Sequence, residues 1–189
     1  MSSVNLLEDC EMGLPRAFVG FSSSDIGYYQ LMRAWKANSR IPFDFCDCQL
    51  RKELRSGNEN YIKSKCRERL RMAGTFIQLI GQDTRRKHKY VRWEAEVALE
   101  KGCRIIAVNI DGWRRINIET CPPILRGKGV LFVPYSPMIV AYAIENWEKM
   151  DVGNWEYPDE TFRSLGYSLH GNIAKVTSPL DGVMRGFNI

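Results

Sequence analysis

The stretch that decides the fold is Lys89-Tyr-Val-Arg-Trp-Glu-Ala-Glu-Val-Ala-Leu-Glu-Lys101, which is followed directly by Gly102 and the run Cys103-Arg-Ile-Ile-Ala-Val-Asn109. In the first part, apolar residues recur at helical spacing and share one face, and Lys101 and Gly102 are usual signals for the end of a helix. The second part is mainly apolar and has the length of a buried strand. The stretch therefore predicts a helix over 89–101, a glycine stop and a strand over 103–109.

Glu94 has an unusual position on this predicted helix. It comes three residues after Val91, so its side chain neighbours the apolar face and is not on the fully solvated side. The alternative interpretation of Glu94 is an ordinary solvated carboxylate. Glu96 and Glu100 show that carboxylates are common on this helix. The spacing makes Glu94 a candidate for a site that needs a carboxylate directed toward the body of the protein.

The length and composition of the chain are those of a folded α/β domain with some additional segments. It has 189 residues, of which 44% are hydrophobic and 26% are charged, and domains typically contain ~100–200 residues. Its apolar runs are much shorter than the ~20 residues needed to cross a bilayer. Disorder and a membrane-spanning segment are therefore not expected.

The amino terminus and the cysteines indicate a cytoplasmic location. The first ten residues carry Glu8 and Asp9 and lack the basic region that precedes the apolar part of a secretory signal. The six cysteines include no Cys-x-x-Cys pair, and neither of the two histidines lies near a cysteine pair, so no metal site is expected. The cysteines are interpreted as free thiols in a reducing compartment.

The net charge of +5 is distributed over basic clusters at residues 67–71, 85–89 and 114–115. Local positive potential favours an anionic partner, either a phosphate-bearing small molecule or a nucleic acid. Solvated helix faces and loops are the commoner explanation of such clusters. Charge alone leaves these alternatives open.

Strands and helices alternate on both sides of the opening stretch. The predicted strands are 16–21, 41–46, 75–80, 103–109 and 129–133, and the predicted helices are 26–37, 60–72, 89–101 and 138–150. Because parallel strands need crossover helices, the pattern predicts an α/β fold, a flavodoxin-like doubly wound five-stranded parallel sheet with helices on both faces. The predicted domain spans 16–150, between a polar leader at 1–15 and an irregular C-terminal extension at 151–189 that packs on the domain.

Polar side chains follow the carboxyl ends of three predicted strands. Ser22–Asp25 follow the first strand, Asp47 follows the second and Gln82–Thr84 follow the third, with Glu94 on the next helix. Ligands of doubly wound sheets collect at this edge, near the point where the strand order reverses. We therefore expect these groups to converge on one cleft, although Ser22–Asp25 are also suited to capping the helix that follows them.

Four stretches in order resemble the TIR domains and, within them, the TIR-like proteins of bacterial Thoeris antiphage defence. They are Phe18-Val-Gly-Phe-Ser-Ser-Ser-Asp25, Phe43-Asp-Phe45, Thr75-Phe-Ile-Gln-Leu-Ile-Gly81 and Tyr90-Val-Arg-Trp-Glu94. The last is similar to a family pattern in which an aromatic residue precedes a glutamate by four positions, with Tyr90 where tryptophan is usual. The resemblance covers residues 16–150, which it makes a TIR-like domain.

The resemblance implies an enzyme that cleaves the nicotinamide–ribose bond of NAD, with Glu94 as the catalytic residue and NAD as a substrate, so that no cofactor is expected. Loss of nicotinamide passes through an oxocarbenium-like transition state, which a nearby carboxylate stabilises more than it stabilises the ground state. Capture of the ribosyl cation by water gives ADP-ribose, whereas attack by a hydroxyl of the substrate gives a cyclic isomer. The residues leave these products open.

The resemblance also implies further contacts and partners. Aromatic residues would stack on nicotinamide or adenine and polar residues would bind ribose or phosphate; these substrate-binding candidates are Phe21, Ser22, Ser23, Asp25, Asp47 and Tyr90, with Trp113 as a further aromatic residue. Phe21 has an alternative interpretation as a core residue. Self-association is expected, with Trp93 on the exposed side of its helix available for a contact between copies. The expected partners are NAD and an effector protein activated by a diffusible nucleotide signal; nucleic acid is not expected.

Two other classes of function compete with this one. The first is a non-catalytic TIR module that acts as a scaffold through self-association. The second is another N-glycosidic enzyme of similar topology, a nucleoside deoxyribosyltransferase-like protein. Loss of signalling only on surface substitution would indicate the first, and activity on nucleosides but not on NAD would indicate the second.

Overall fold

The computed structural model describes residues 16–39, 43, 46–47, 59–86 and 88–169. Within these residues the strands are β1 (Arg16–Gly20), β2 (Cys46–Asp47), β3 (Thr75–Ile80), β4 (Arg104–Asn109), β5 (Lys128–Pro134) and β6 (Gly153–Trp155). The α-helices are α1 (Ile26–Lys36), α2 (Glu59–Met72), α3 (His88–Glu100), α4 (Pro137–Asn146) and α5 (Asp159–Ser164), with 3-10 turns at Ser23–Asp25 and Pro123–Leu125. The predicted leader at 1–15 lies outside the described residues.

The described strands form one parallel sheet in the order β2-β1-β3-β4-β5-β6. From β1 the chain adds β2 on one side and then crosses back to place β3, β4 and β5 on the other side. This is the strand order of a flavodoxin-like doubly wound sheet, so the predicted fold is confirmed. β6 is a sixth strand, beside β5 at the edge, that the sequence pattern did not predict.

Alternate residues along the strands enter two hydrophobic cores, one on each face of the sheet. On one face, Met32 and Trp35 of α1 and much of α4 cover residues such as Val19 and Ile77. On the other face, Leu70 of α2 and residues of α3 cover strand residues such as Phe76. Within the described residues, no helix is long and apolar enough to cross a membrane.

Two predicted elements have clearly different bounds in the structure. Of the strand predicted at 41–46, the structure describes residues 43 and 46, and the observed strand β2 is Cys46–Asp47, while residues 41–42 and 44–45 lie outside the described residues. The helix predicted to reach residue 150 begins at Pro137 and ends at Asn146. The guanidinium of Arg104 accounts for this end, because it donates to the carbonyl oxygens of Ile144 at 3.1 Å and Trp147 at 2.7 Å.

The segment after residue 150 contains regular structure at residues 153–155 and 159–164, so the prediction of an irregular extension is wrong for these residues. β6 pairs with β5, and the Phe162 side chain of α5 is buried in the core next to α4. Arg114 also pairs with Asp159 at the start of α5. The described part of the extension therefore packs on the domain, as predicted, while residues 170–189 lie outside the described residues.

Candidate functional site

The candidate site lies where the strand order reverses, between the carboxyl ends of β1 and β3. β1 ends at Gly20 and β3 ends at Ile80, and each strand leads into a polar loop. The two strands are paired in register, with Gly20 opposite Gln78. Helix α3 packs on both strands and brings Glu94 to this edge.

Glu94 contacts the backbone at the end of β1 because Gly20 has no side chain. A Cβ atom added at Gly20 would lie 2.9 Å from Glu94 Oε2 and 2.9 Å from the ring of Phe76. The apolar side chains of Val91, Ala95 and Ala98 are buried, which fixes the face of α3 beside which Glu94 projects. The prediction that Glu94 is directed toward the body of the protein is therefore confirmed.

Burial changes the acid–base behaviour of Glu94. Desolvation raises the pKa of its carboxyl from the ordinary value of 4.5 to about 8. The carboxyl therefore holds its proton near neutral pH when nothing cationic is nearby. A positive charge within ~4–6 Å would lower this pKa, so the group can become an anion in response to a cationic ligand.

Asp25 joins the loops that follow β1 and β3. Its side chain is buried, and Thr84 Oγ1 donates to Asp25 Oδ2 at 3.3 Å. The same Thr84 oxygen accepts a hydrogen bond from the N–H of Gly81 at 2.7 Å. A Cβ atom at Gly81 would lie 2.5 Å from Asp25 Oδ1, so this approach also depends on a glycine. The predicted convergence of these two loops is confirmed.

The serines after β1 differ in accessibility. Ser22 is buried, with its Oγ 3.0 Å from Ser24 Oγ, whereas Ser23 is exposed. Among the described residues, neither Ser22 nor Asp25 makes a side-chain capping bond to the helix that follows it, so the capping interpretation is wrong for these two. Of these predicted substrate ligands, Ser23 is the one a ligand can reach without displacing protein atoms.

The aromatic candidates occupy three environments. Phe21 is partly buried and stacks on Tyr29 with ring centroids 4.6 Å apart, which supports its interpretation as a core residue. Tyr90 is 49% exposed on α3 and meets the edge of the Trp93 ring. Trp93 itself is only 7% exposed, so the expectation that it is available for a contact between copies is wrong.

Trp113 lies in the loop after β4 and is exposed. Asn109, the last residue of β4, holds this loop by donating from Nδ2 to the carbonyl oxygens of Trp113 and Arg115, both at 2.9 Å. Tyr167 donates from its hydroxyl to Gly112 O at 3.2 Å, so the C-terminal segment supports the same loop. The aromatic ring of Trp113 is therefore carried by a fixed loop at the carboxyl edge.

Asp47 is placed differently from the prediction. It is the last residue of β2 and pairs with Ala17 of β1, whereas the sequence placed it in the loop beyond the strand. Its side chain lies outside the described residues. Its role as a substrate ligand stays a prediction.

Gln78 is a site residue that the sequence interpretation missed. It is fully buried in β3 and donates from Nε2 to Gly20 O at 3.1 Å and to Leu79 O at 2.9 Å. The available indication was a lone amide in the otherwise apolar strand Thr75–Ile80. A buried polar residue beside a strand end is a feature that a purely structural strand rarely needs.

One comparison with known proteins identifies a family for most of the sheet. A family model described as the TIR-like domain of Thoeris protein ThsB matches residues 18–115, just over half of the chain. The match begins at Phe18 within β1 and continues through β4, and it includes Gly20, Asp25, Gln78 and Glu94. No curated protein matches the chain.

Proposed function

This chain belongs to the family of Thoeris ThsB TIR-like domains, and from that premise we propose that it cleaves the nicotinamide–ribose bond of NAD, with Glu94 as the catalytic residue. The observation that carries this proposal is the position of the Glu94 carboxyl against the backbone of Gly20, at the point where strand order reverses. Nucleotides bind at this edge of doubly wound sheets.

The chemistry requires little more than a well-placed anion. Nicotinamide is a cationic substituent that departs as a neutral molecule, so its departure needs no strong general acid. Positive charge then develops on the ribose in an oxocarbenium-like transition state. An ionised Glu94 beside the ribose stabilises this charge, and it does so more strongly in a partly desolvated site than in water.

The raised pKa of Glu94 couples its ionisation to substrate binding. With a pKa of about 8, the free carboxyl is mostly protonated at neutral pH. The cationic nicotinamide ring lowers that pKa, and the proton passes to solvent. Substrate binding therefore increases the fraction of Glu94 that is ionised.

We assign the remaining substrate contacts to groups that are accessible at the carboxyl edge. Tyr90 and Trp113 are exposed aromatic residues suited to stacking on nicotinamide or adenine, and Ser23 is an exposed hydroxyl suited to ribose or phosphate. The buried Asp25 fixes the loop that carries Ser23. Support for these assignments comes from exposure and position.

The proposed product is a cyclic isomer of ADP-ribose that acts as a diffusible signal to an effector protein. Exclusion of water around the bound substrate would favour attack on the ribosyl cation by a hydroxyl of the substrate itself. Self-association would complete the site and raise activity. The family membership supports a defence signalling role for such a product.

The test is nicotinamide release from NAD by the purified full chain over a wide range of protein concentration. Glu94→Gln is expected to lose about 10²–10³-fold in rate, the usual effect of removing a group that stabilises transition-state charge. Glu96→Gln is the matched control: this residue is on the same helix and pairs with Arg92 at 2.8 Å, and its release rate should stay within about twofold of wild type because an exposed pair contributes little.

Three outcomes would overturn the proposal. Full release by Glu94→Gln would remove the assigned role. Cleavage of nucleosides but not NAD would indicate the deoxyribosyltransferase-like class. No release at any protein concentration, together with signalling that survives Glu94→Gln, would indicate a scaffold.

A further inference from the structure

The Gln78 side-chain amide has a fixed orientation. Both contacts of Nε2 are to backbone carbonyl oxygens, Gly20 O at 3.1 Å and Leu79 O at 2.9 Å. Exchanging the amide nitrogen and oxygen would point an acceptor at two acceptors, so the hydrogen-bond network determines which atom is Oε1. Gln78 therefore presents a defined acceptor at a defined place.

That acceptor, Gln78 Oε1, has no hydrogen-bond partner among the described residues, although it is buried. A buried acceptor without a partner is costly and uncommon in folded proteins. A neighbouring group that donates only while it is protonated would supply the missing hydrogen bond.

The geometry of the sheet places Gln78 next to Glu94. Gln78 and Gly20 are paired in register on neighbouring strands, which lie ~4.8 Å apart, and their Cβ directions point to the same face. That face is the one covered by α3. Glu94 Oε2 lies 2.9 Å from the Cβ position of Gly20. The amide and the carboxyl are therefore neighbours over the ends of β1 and β3.

Among the side chains that the structure describes, no charged group contributes to the raised pKa of Glu94. Burial is the cause of the raised pKa of Glu94. Among the side chains that the structure describes in β1, the loop after it and α2, the charged groups are Arg16, Asp25, Arg67, Glu68, Arg69 and Arg71. Of these, Asp25 accepts from Thr84 and Arg67 pairs with Glu100, and Arg16 lies at the opposite end of β1 from Gly20.

We propose that Gln78 is a positioning residue, whose Oε1 accepts the hydrogen bond that Glu94 donates while its carboxyl is protonated. The bond holds the carboxyl over the end of β1 until a cationic substrate arrives. Loss of the proton to solvent then breaks the bond and frees the carboxylate to face the ribose. This last consequence rests on the proposed NAD cleavage, whereas the hydrogen bond itself does not.

The test is a site-specific titration of Glu94 in the full chain. Carbon-13 NMR of labelled glutamate follows each carboxyl, and the signal absent from Glu94→Gln identifies Glu94.

In Gln78→Met the acceptor is lost, so the titration midpoint should fall by about 0.5–1 pH unit, which corresponds to one neutral hydrogen bond. Gln30→Met, an exposed change on α1, should leave the midpoint in place. If Gln78→Met does not fold, Gln78→Asn replaces it in the test. This variant has a side chain shorter by one methylene, which withdraws the acceptor, so the titration midpoint of Glu94 should also fall.

An unchanged or raised midpoint in the folded Gln78 variant would overturn this inference. Failure of the proposed function is recognised separately, because wild-type protein would then release no nicotinamide while the titration still reports on Gln78. If NAD is cleaved, Gln78→Met should also move the pH midpoint of kcat/KM in the same direction as the NMR midpoint. A purely structural effect of the substitution would lower the melting temperature without moving either midpoint.

Discussion

The burial of Glu94 makes a prediction about stability that does not depend on any substrate. The pKa of the folded protein is raised to about 8 from 4.5, so between these pH values the folded state holds a proton that the unfolded chain has lost. The contribution of the protonated carboxyl to the free energy of unfolding is fully present below pH ~4.5. It decreases as the pH rises above this value and is lost once the pH has passed ~8. Glutamine at this position cannot ionise and avoids the loss.

The magnitude follows from the size of the pKa change. At ~1.4 kcal/mol per pH unit, a carboxyl shifted from 4.5 to about 8 lowers the free energy of unfolding by up to about 5 kcal/mol above pH 8. The carboxyl of Glu94 lies against Gly20, but the residue as a whole is partly exposed, so screening by solvent reduces the effect and we expect about 2–4 kcal/mol. This is a large share of the ~5–15 kcal/mol typical of a domain.

The assay is urea unfolding of wild type, Glu94→Gln and Glu96→Gln at several pH values from 5 to 9. The Glu94→Gln protein should match wild type near pH 5 and become progressively more stable than wild type toward pH 9. Glu96→Gln should show a small difference that does not change with pH. A difference between Glu94→Gln and wild type that is constant across the range would refute the assigned burial.

Three further predictions concern the packing and ionisation of the site. Gly20→Ala places a methyl group 2.9 Å from the Glu94 carboxylate, so nicotinamide release should fall about 10–100-fold. Gly74→Ala is the control, because nothing lies within 4 Å of the added carbon, and it should have no such effect on release. Thr84→Val removes the buried hydrogen bond to Asp25 and should lower the free energy of unfolding, measured in urea, by about 1–3 kcal/mol. An unchanged midpoint of urea unfolding would contradict the conclusion that this bond joins the two loops. The kcat/KM for NAD should rise with pH to a midpoint near 8, with a lower midpoint for kcat because bound substrate favours the anion; a profile flat from pH 6 to 9 would rule out Glu94 as the ionising group.

The sequence predicted most accurately the elements whose periodicity is set by burial. β3 was predicted at its observed bounds, and α3 was predicted within one residue at each end, because their apolar patterns match the faces that they bury. Glu94 was found for the same reason, since the phase of the helix determines which side chains lie beside the apolar face. The predicted exposure of Trp93 was wrong because the buried arc of α3 is wider than the strict stripe and includes both Trp93 and Val97.

The elements that sequence missed depend on contacts between distant residues. The end of α4 is set by Arg104, which lies forty residues before Ile144 and reaches its carbonyl oxygen across the sheet edge. β6 is only three residues long and exists through its pairing with β5. The role of Gly20 and the placement of Gln78 next to Glu94 follow from the register between β1 and β3, which no local pattern specifies.

Mass spectrometry of nucleotides extracted from cells tests whether Glu94 catalyses the cleavage of NAD. Cells expressing the wild-type chain should lose NAD after the defence response is triggered and accumulate a product lighter than ADP-ribose by one water. Cells expressing Glu94→Gln at the same level should keep their NAD and lack the product, and Glu96→Gln should behave as wild type. An equal amount of product in the Glu94→Gln and wild-type cells would contradict the account.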